Sequence, residues 1–218
     1  MANARAQREH EVHRYPRPSE LWSLVGGERM WERGVHDEDY LEVRVGLGIT
    51  SLCTPIEVPD PGAAEDLDPV CATSLRHTVN VASTVPDTPV VVQLRAFSYL
   101  SVSGERAADC ARAMICGLVF HQGPEAVGIV ADQQGPEWAW LKWLPHTRDP
   151  HRAAQRIALV SEGEEAPEAD TVVEIAHDGS TSAIRRLAEE EGLSLELRGG
   201  ELWVYTAGGK RNWVRRTT

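Results

Sequence analysis

Lysine is nearly missing: Lys142 and Lys210 are the only two in 218 residues. Neither stands near Gly104, the one glycine turn that leads into a long helical stretch, so no lysine is at hand there for a phosphate loop of the GxxxxGK[ST] kind. Cysteine is scarce too. Cys53, Cys71, Cys110 and Cys116 form no CxxC pair, and Cys110 and Cys116 fall nearer opposite faces of one helical run than the same face. That pattern excludes a zinc knuckle and a disulfide framework, leaving buried thiols in a reducing compartment as the expectation. No stretch reaches the 18 or more apolar residues of a membrane span, and residues 1–14 lack the apolar centre of a signal peptide. Basic residues are outnumbered, 22 against 33 acids, for a net charge of -11. Such a field repels phosphate backbones, and no nucleic-acid partner is expected. The local exception is a tail with Lys210, Arg211, Arg215 and Arg216, read as a solvated end or a contact to an acidic protein surface.

What is present argues for a real core. A hydrophobic fraction of 42% with seven tryptophans suits one well-filled domain of this length, while 18 glycines and 13 prolines imply many loops. The polar, helix-forming run over 1–14 has few apolar anchors and is expected to fray alone. Prolines 16 and 18 stop it and leave Ser19 to cap a short helix through Leu24. A second amphipathic turn, Arg29 to Arg33, carries Trp31. Alternation over Tyr40 to Gly46 predicts a half-buried strand with Leu41, Val43 and Val45 on one face and Glu42 and Arg44 on the other. Ile49 to Ile56 is its expected hairpin partner. A proline-rich loop follows, then a helix from Pro69 to about Val81 with Val70, Leu75 and Val79 inward, and another loop bracketed by Pro86 and Pro89.

The centre is more regular. Short strands at 90–94 and 99–103, a helix over 105–121 with Ala108, Ala111, Ile115, Leu118 and Val119 at core spacing, and a strand at 127–131 make a βαβ unit, hence a parallel sheet covered by helices. The tryptophans at 138, 140 and 143 form an anchoring plug that cannot point one way throughout, so at least one is assigned to a surface. Strands at 157–160 and 172–176, an acidic loop at 162–169, a helix over 182–190 and a hairpin, 193–197 with 202–206, complete an α/β fold.

The nearest approach to a nucleotide site is the turn Ser101-Val102-Ser103-Gly104-Glu105-Arg106, where free amides and the helix dipole favour an anion. It has no lysine, and Glu105 places a carboxylate at the helix start. The alternative for Ser103 and Gly104 is structural, a helix cap and a tight crossover. Asp178, after the apolar strand, is the nearest acid for Mg²⁺, and with Gly179 and Ser180 it reads equally as a turn. His121, His146, His151 and His177 lack HxxxH or HExxH spacing, and Ser103 and Ser161 lack a nucleophile elbow. No catalytic residue and no metal site are therefore expected. Cofactor binding, should it occur, falls to Ser103, Gly104 and Asp178 with ATP and Mg²⁺. Asp37, Glu38 and Asp39 read as a solvated turn or an arginine-seeking surface.

Several segments carry a family resemblance: RYPRPSELW at 14–22, MWERGVHDEDYLEVRVGLG at 30–48, GERAADCARAMICGLVFH at 104–121, WAWLKWLPH at 138–146 and IAHDGS at 175–180. Together they make the chain resemble the EccC family, the membrane-anchored FtsK/SpoIIIE-type motor of actinobacterial type VII (ESX) secretion systems. The resemblance implies a degenerate P-loop-ATPase-like, mostly parallel sheet with an N-terminal arm and a C-terminal β-hairpin. It divides the chain into the end of a stalk helix and linker, 1–18, and a membrane-proximal ATPase-like domain, 19–218. It implies other secretion membrane-complex subunits and downstream ATPase domains of the same protein as partners, at the cytoplasmic face of the membrane, which the parent reaches through an N-terminal segment lying outside this chain. The family's Walker-B-like strand is either missing here or reduced to 157–160 with Glu162 displaced. Gly34-Val35 replaces the family's usual Arg-Pro, a change confined to a loop.

Overall fold

The computed structural model describes residues 2–57, 69–131, 135–206 and, for the backbone, 209–215. Helix α1 (Ala2–Arg14) has no buried side chain. It leads through a 3₁₀ turn (Pro18–Leu24) into strand β1 (Glu42–Ser51). After α2 (Pro69–Ala82), β2 (Thr84–Gln93) returns antiparallel to β1. A seven-stranded sheet follows in the spatial order β4-β5-β6-β3-β7-β8-β9. Its members are β3 (Tyr99–Gly104), β4 (Val127–Ala131), β5 (Gln155–Ser161), β6 (Thr171–Ala176), β7 (Leu193–Arg198), β8 (Glu201–Thr206) and β9 (Gly209–Arg215). β3 to β7 run parallel, and β8 and β9 add antiparallel strands beyond β7.

Two helices cover this sheet. α3 (Ala107–His121) buries Ala111, Met114, Ile115 and Leu118, at the three- and four-residue steps of one helical stripe. These join Leu41, Val43 and Val45 of the β1 segment and Leu100, Val102, Ile129, Leu159 and Leu195 of the sheet in one core. α4 (Ala183–Glu190) puts Ile184 with Ala158, Val160 and Val172 in a smaller cluster. The side chains of β3 alternate accordingly: Leu100 and Val102 belong to the larger core, while Ser101 and Ser103 fall on the other face.

Several expectations are corrected. β1 is continuous through 49–51, and its partner is β2; Gly46 and Gly48 pair with Val90 and Thr88 beside two register shifts and make no hairpin turn. Pro86 and Pro89 lie within β2. Pro86 and Asp87, the latter with φ 55, occupy the bulge opposite Gly48 and Thr50, where no ladder hydrogen bond is forfeited. The 3₁₀ turn starts from Arg17, whose N–H donates to Glu20 Oε2 at 3.3 Å, and Ser19 is not its cap. Of the turn expected at 29–33, residues 29–31 form one, and Trp31 and Arg33 pair with the end of α3. In α2, Val70 and Leu75 are 74% and 43% exposed. Cys53 and Cys71 are exposed, whereas Cys110 is buried with its thiol pushed up to about 12. The βαβ unit is parallel, yet β5 and β6 lie between β3 and β4. The stretch read as a basic tail contributes β9, and Arg216 lies outside the described residues. The loop at 58–62 is outside them as well.

Candidate functional site

In parallel α/β sheets, ligands settle at the carboxyl ends of strands. Here that edge carries a cleft of about 320 Å³ lined by Gly104 and Glu105 after β3, Ala107 and Ala108 of α3, Ser161 and Glu162 after β5, Ile175 to His177 at the end of β6, and Glu137 and Trp138. The strand before Glu162 is complete over Gln155–Ser161, longer than the 157–160 expected, with the acid immediately after it. The acidic loop had obscured this in the sequence, since only 157–160 carry an unbroken apolar run.

The cleft is poorly built for phosphate. Two residues, Glu105 and Arg106, separate β3 from α3. That is too short for the row of backbone N–H groups with which a glycine-rich loop encircles phosphate oxygens. Among the described residues the cleft lining carries the carboxylates of Glu105, Glu137 and Glu162 and no lysine or arginine. The Glu162 carboxylate is held below its usual range by the Ser180 hydroxyl and the His177 backbone N–H, the latter at 3.0 Å. Near neutral pH it is an anion already occupied by protein donors. At the start of α3, Asp109 pairs with Arg106 and Arg112, and the Arg106 hydrogen bond, with both charges, lowers its carboxyl. The helix dipole at this end is thus answered by an internal carboxylate.

The sequence-derived site residues are distributed unevenly. Gly104 lines the cleft, with φ 106. A Cβ at this position would run into the carbonyl oxygen of Leu197, so close packing of β3 on β7 accounts for the glycine. Ser103 is fully buried on the α4 face, and its Oγ has no partner among the described residues. It does not cap α3, whose N-cap is Arg106. Asp178 is exposed and is not among the residues lining the cleft, where His177 and Glu162 stand instead. Beneath the site, Ser182 caps α4 by accepting from the Arg185 N–H at 3.0 Å and donates to buried Glu174 at 2.7 Å. Glu174 is the visible anomaly of an apolar strand, Val-Val-Glu-Ile-Ala, and that break in pattern is the signal by which it could have been found.

Two surface regions complete the inventory. Trp143 and Trp22 are each 78% exposed, whereas Trp138 is buried over the cleft. In the acidic turn Asp37 and Glu38 are exposed, Asp39 pairs with Arg14 and Arg33, each at 3.2 Å, and Asp37 accepts from the Gly34 N–H at 2.6 Å. Among the described residues, no three His, Cys, Asp or Glu side chains converge in a way that would hold a metal. No helix among them is long and apolar enough to cross a membrane.

No family model matches the chain. Over 193 residues it is 35% identical to ESX secretion system protein EccC of Thermomonospora curvata, covering 85% of this chain and 15% of that protein. With ESX-4 secretion system protein EccC4 of Mycobacterium tuberculosis it shares 37% over 142 residues, 63% of this chain and 12% of the other. With ESX-3 secretion system protein EccC3 of the same species it shares 36% over 156 residues, 69% and 12% of the two chains. A solved structure, the cytoplasmic domain of the Thermomonospora curvata type VII secretion ATPase EccC, superposes with a TM-score of 0.46 at 10% identity, over 61% of this chain and 25% of that one. The matched region is thus at most 15% of the length of these three curated relatives.

Proposed function

Because the chain belongs, over the segment it shares with them, to the EccC family of ESX secretion proteins, we propose that it is a noncatalytic structural or regulatory domain of a type VII secretion motor. In this reading residues 1–18 are the end of a stalk helix and its linker, and 19–218 form a degenerate ATPase-like domain. The domain couples a membrane complex on one side to downstream ATPase domains on the other, at the cytoplasmic face of the membrane. The observation that carries the noncatalytic part is the cleft: a two-residue turn, three carboxylates and, among the described residues, no lysine or arginine where a triphosphate would need all its neutralisation. At an effective dielectric near 20, like charges about 4 Å apart repel by roughly 4 kcal/mol, which sets the scale of the barrier to a phosphate group.

A second reading, a weak nucleotide sensor, is favoured by the position of the cleft at the strand ends beside the amino terminus of α3. It would use Gly104, with Ser103 and Asp178 brought in by rearrangement, for ATP with Mg²⁺. Titration calorimetry of the folded chain with ATP and Mg²⁺, repeated with ADP, separates the two. The coupling reading expects no saturable heat at millimolar nucleotide, whereas a single saturable site overturns its noncatalytic part. Reconstitution with other subunits of the secretion complex and with the downstream ATPase domains tests the rest, and failure to associate with any of them counts against coupling.

A further inference from the structure

Helix α1 presents a physical puzzle. Thirteen residues with no buried side chain are marginal as a helix in water, so contacts with the rest of the fold must fix this element. At the amino half, the Gln7 side chain donates to the Ser51 carbonyl at 3.0 Å and accepts from the Cys53 N–H at 2.8 Å. At the carboxyl end the last carbonyls, which no helical N–H can reach, are taken by arginine. Arg29 Nη1 donates to the His13 carbonyl at 2.6 Å and Nη2 to that of Arg14 at 3.3 Å. Arg33 Nη2 donates to the Arg14 carbonyl at 2.8 Å, and Arg44 Nη1 to that of Tyr15 at 2.9 Å. Three guanidinium groups therefore stand where the helix dipole places negative charge.

The same short strap holds a second helix. The Trp31 N–H donates to the Phe120 carbonyl at 2.9 Å, its indole Nε1 to Val119 at 3.2 Å, and the Arg33 N–H to His121 at 3.0 Å. These are unpaired carbonyls at the end of α3. Glu32 closes the assembly, pairing with Arg29 at 3.0 Å and with His121 Nδ1 at 3.1 Å. Trp31 has φ 61, a left-handed conformation that a bulky residue adopts only where its surroundings impose it. The Arg33 guanidinium lies 4.8 Å from the centre of the Tyr15 ring.

We propose that residues 29–33 are a two-ended clamp that locks the direction of α1 to α3. The amino-terminal residues Ala107 and Ala108 of α3 line the cleft, and 15 residues at 1.5 Å each make α3 a rod of about 22 Å. A displacement of α1 is thereby passed along α3 to the cleft, and a ligand in the cleft acts back on α1 by the same route. The purpose of this joint rests on the coupling role proposed above. Its geometry does not, so the test is made on the isolated chain and is independent of any secretion partner.

Amide hydrogen exchange and amide chemical shifts of the full chain are compared with those of Arg29→Gln and Arg33→Met. Arg33→Met keeps most of the buried stem, and Arg29→Gln alters a more accessible side chain. The clamp requires residues 3–14 to exchange at least ~10-fold faster in both variants while β6 and α4 keep their protection. It also requires the Gly104 to Ala108 amide shifts to move, although the nearer substitution lies at the opposite end of α3. Unchanged protection of α1 overturns the clamp, and a loosened α1 with unmoved shifts at the cleft overturns the transmission. Should Arg33→Met unfold, Arg29→Gln decides alone. Loss of protection throughout the sheet in Arg29→Gln also overturns the proposal, since the clamp is assigned to α1 and not to the core.

Discussion

At the scale of single residues, Gly104 carries the most weight, because it sits where a phosphate loop would put a glycine yet answers to a different constraint. Its φ of 106 and the nearness of the Leu197 carbonyl make any side chain there costly. Gly104→Ala is expected to lower stability by about 3 kcal/mol in urea denaturation, from backbone strain and the parting of β3 from β7. A variant of unchanged stability would return the glycine to a ligand-binding role. Gly104 shows how far a sequence can be read here: the turn was legible, but the reason for its glycine was not, since Leu197 lies far along the chain and only parallel pairing brings it near. Asp178 makes the converse case. An acid after an apolar strand suggested magnesium, and the structure turns it to solvent while Glu162, from another strand, lines the cleft.

At the scale of elements, α2 and α3 look alike as sequence and differ in the fold. Both carry apolar residues at helical steps, but α3 lies between the sheet and the β1 strand, whereas Leu75 of α2 is exposed. Leu118→Ala should cost about 3 kcal/mol through lost burial and the cavity left behind. Leu75→Ala should stay within about 0.5 kcal/mol. Paired denaturation curves with a common slope check both, and a large effect at Leu75 would mean that α2 is covered in solution. The β1–β2 pairing was illegible for a related reason. A strand beside a glycine turn reads as a hairpin, whereas the actual partner arrives only after α2, and nothing local announces a pairing across so long a connection. Periodicity served well where one face of an element is buried and the other is not, as in α3 and α4.

At the scale of the whole molecule, the buried histidines tie the fold to pH. Burial, reinforced by the Arg33 charge, pushes His121 down to about 4, and burial lowers His146, whose Nε2 donates to the Gln122 carbonyl at 2.8 Å. A histidine depressed in the fold leaves the unfolded chain holding more protons between the two values. Stability is therefore intact above the unfolded pKa near 6.5 and declines as pH falls from there toward 4. Thermal melts between pH 7.5 and about 4.5 should show a falling midpoint, and His121→Gln should flatten the slope. An unchanged slope in that variant would mean that other groups carry the acid response.

The sequence by itself determined the α/β class, the parallel core strands, the helix over 105–121 and the kinship with EccC, because these rest on local periodicity and on contiguous words such as WLKWLPH. It also determined that the Gly104 turn itself carries no lysine. Only the tertiary structure decided which strands are neighbours, that β5 and Glu162 complete the edge of the cleft, and that Arg29, Arg33 and Arg44 end a helix far behind them in the chain. Those are contacts between residues remote in sequence, and their partners are chosen by packing, hydrogen-bond satisfaction and charge in three dimensions, which no single window of the chain contains.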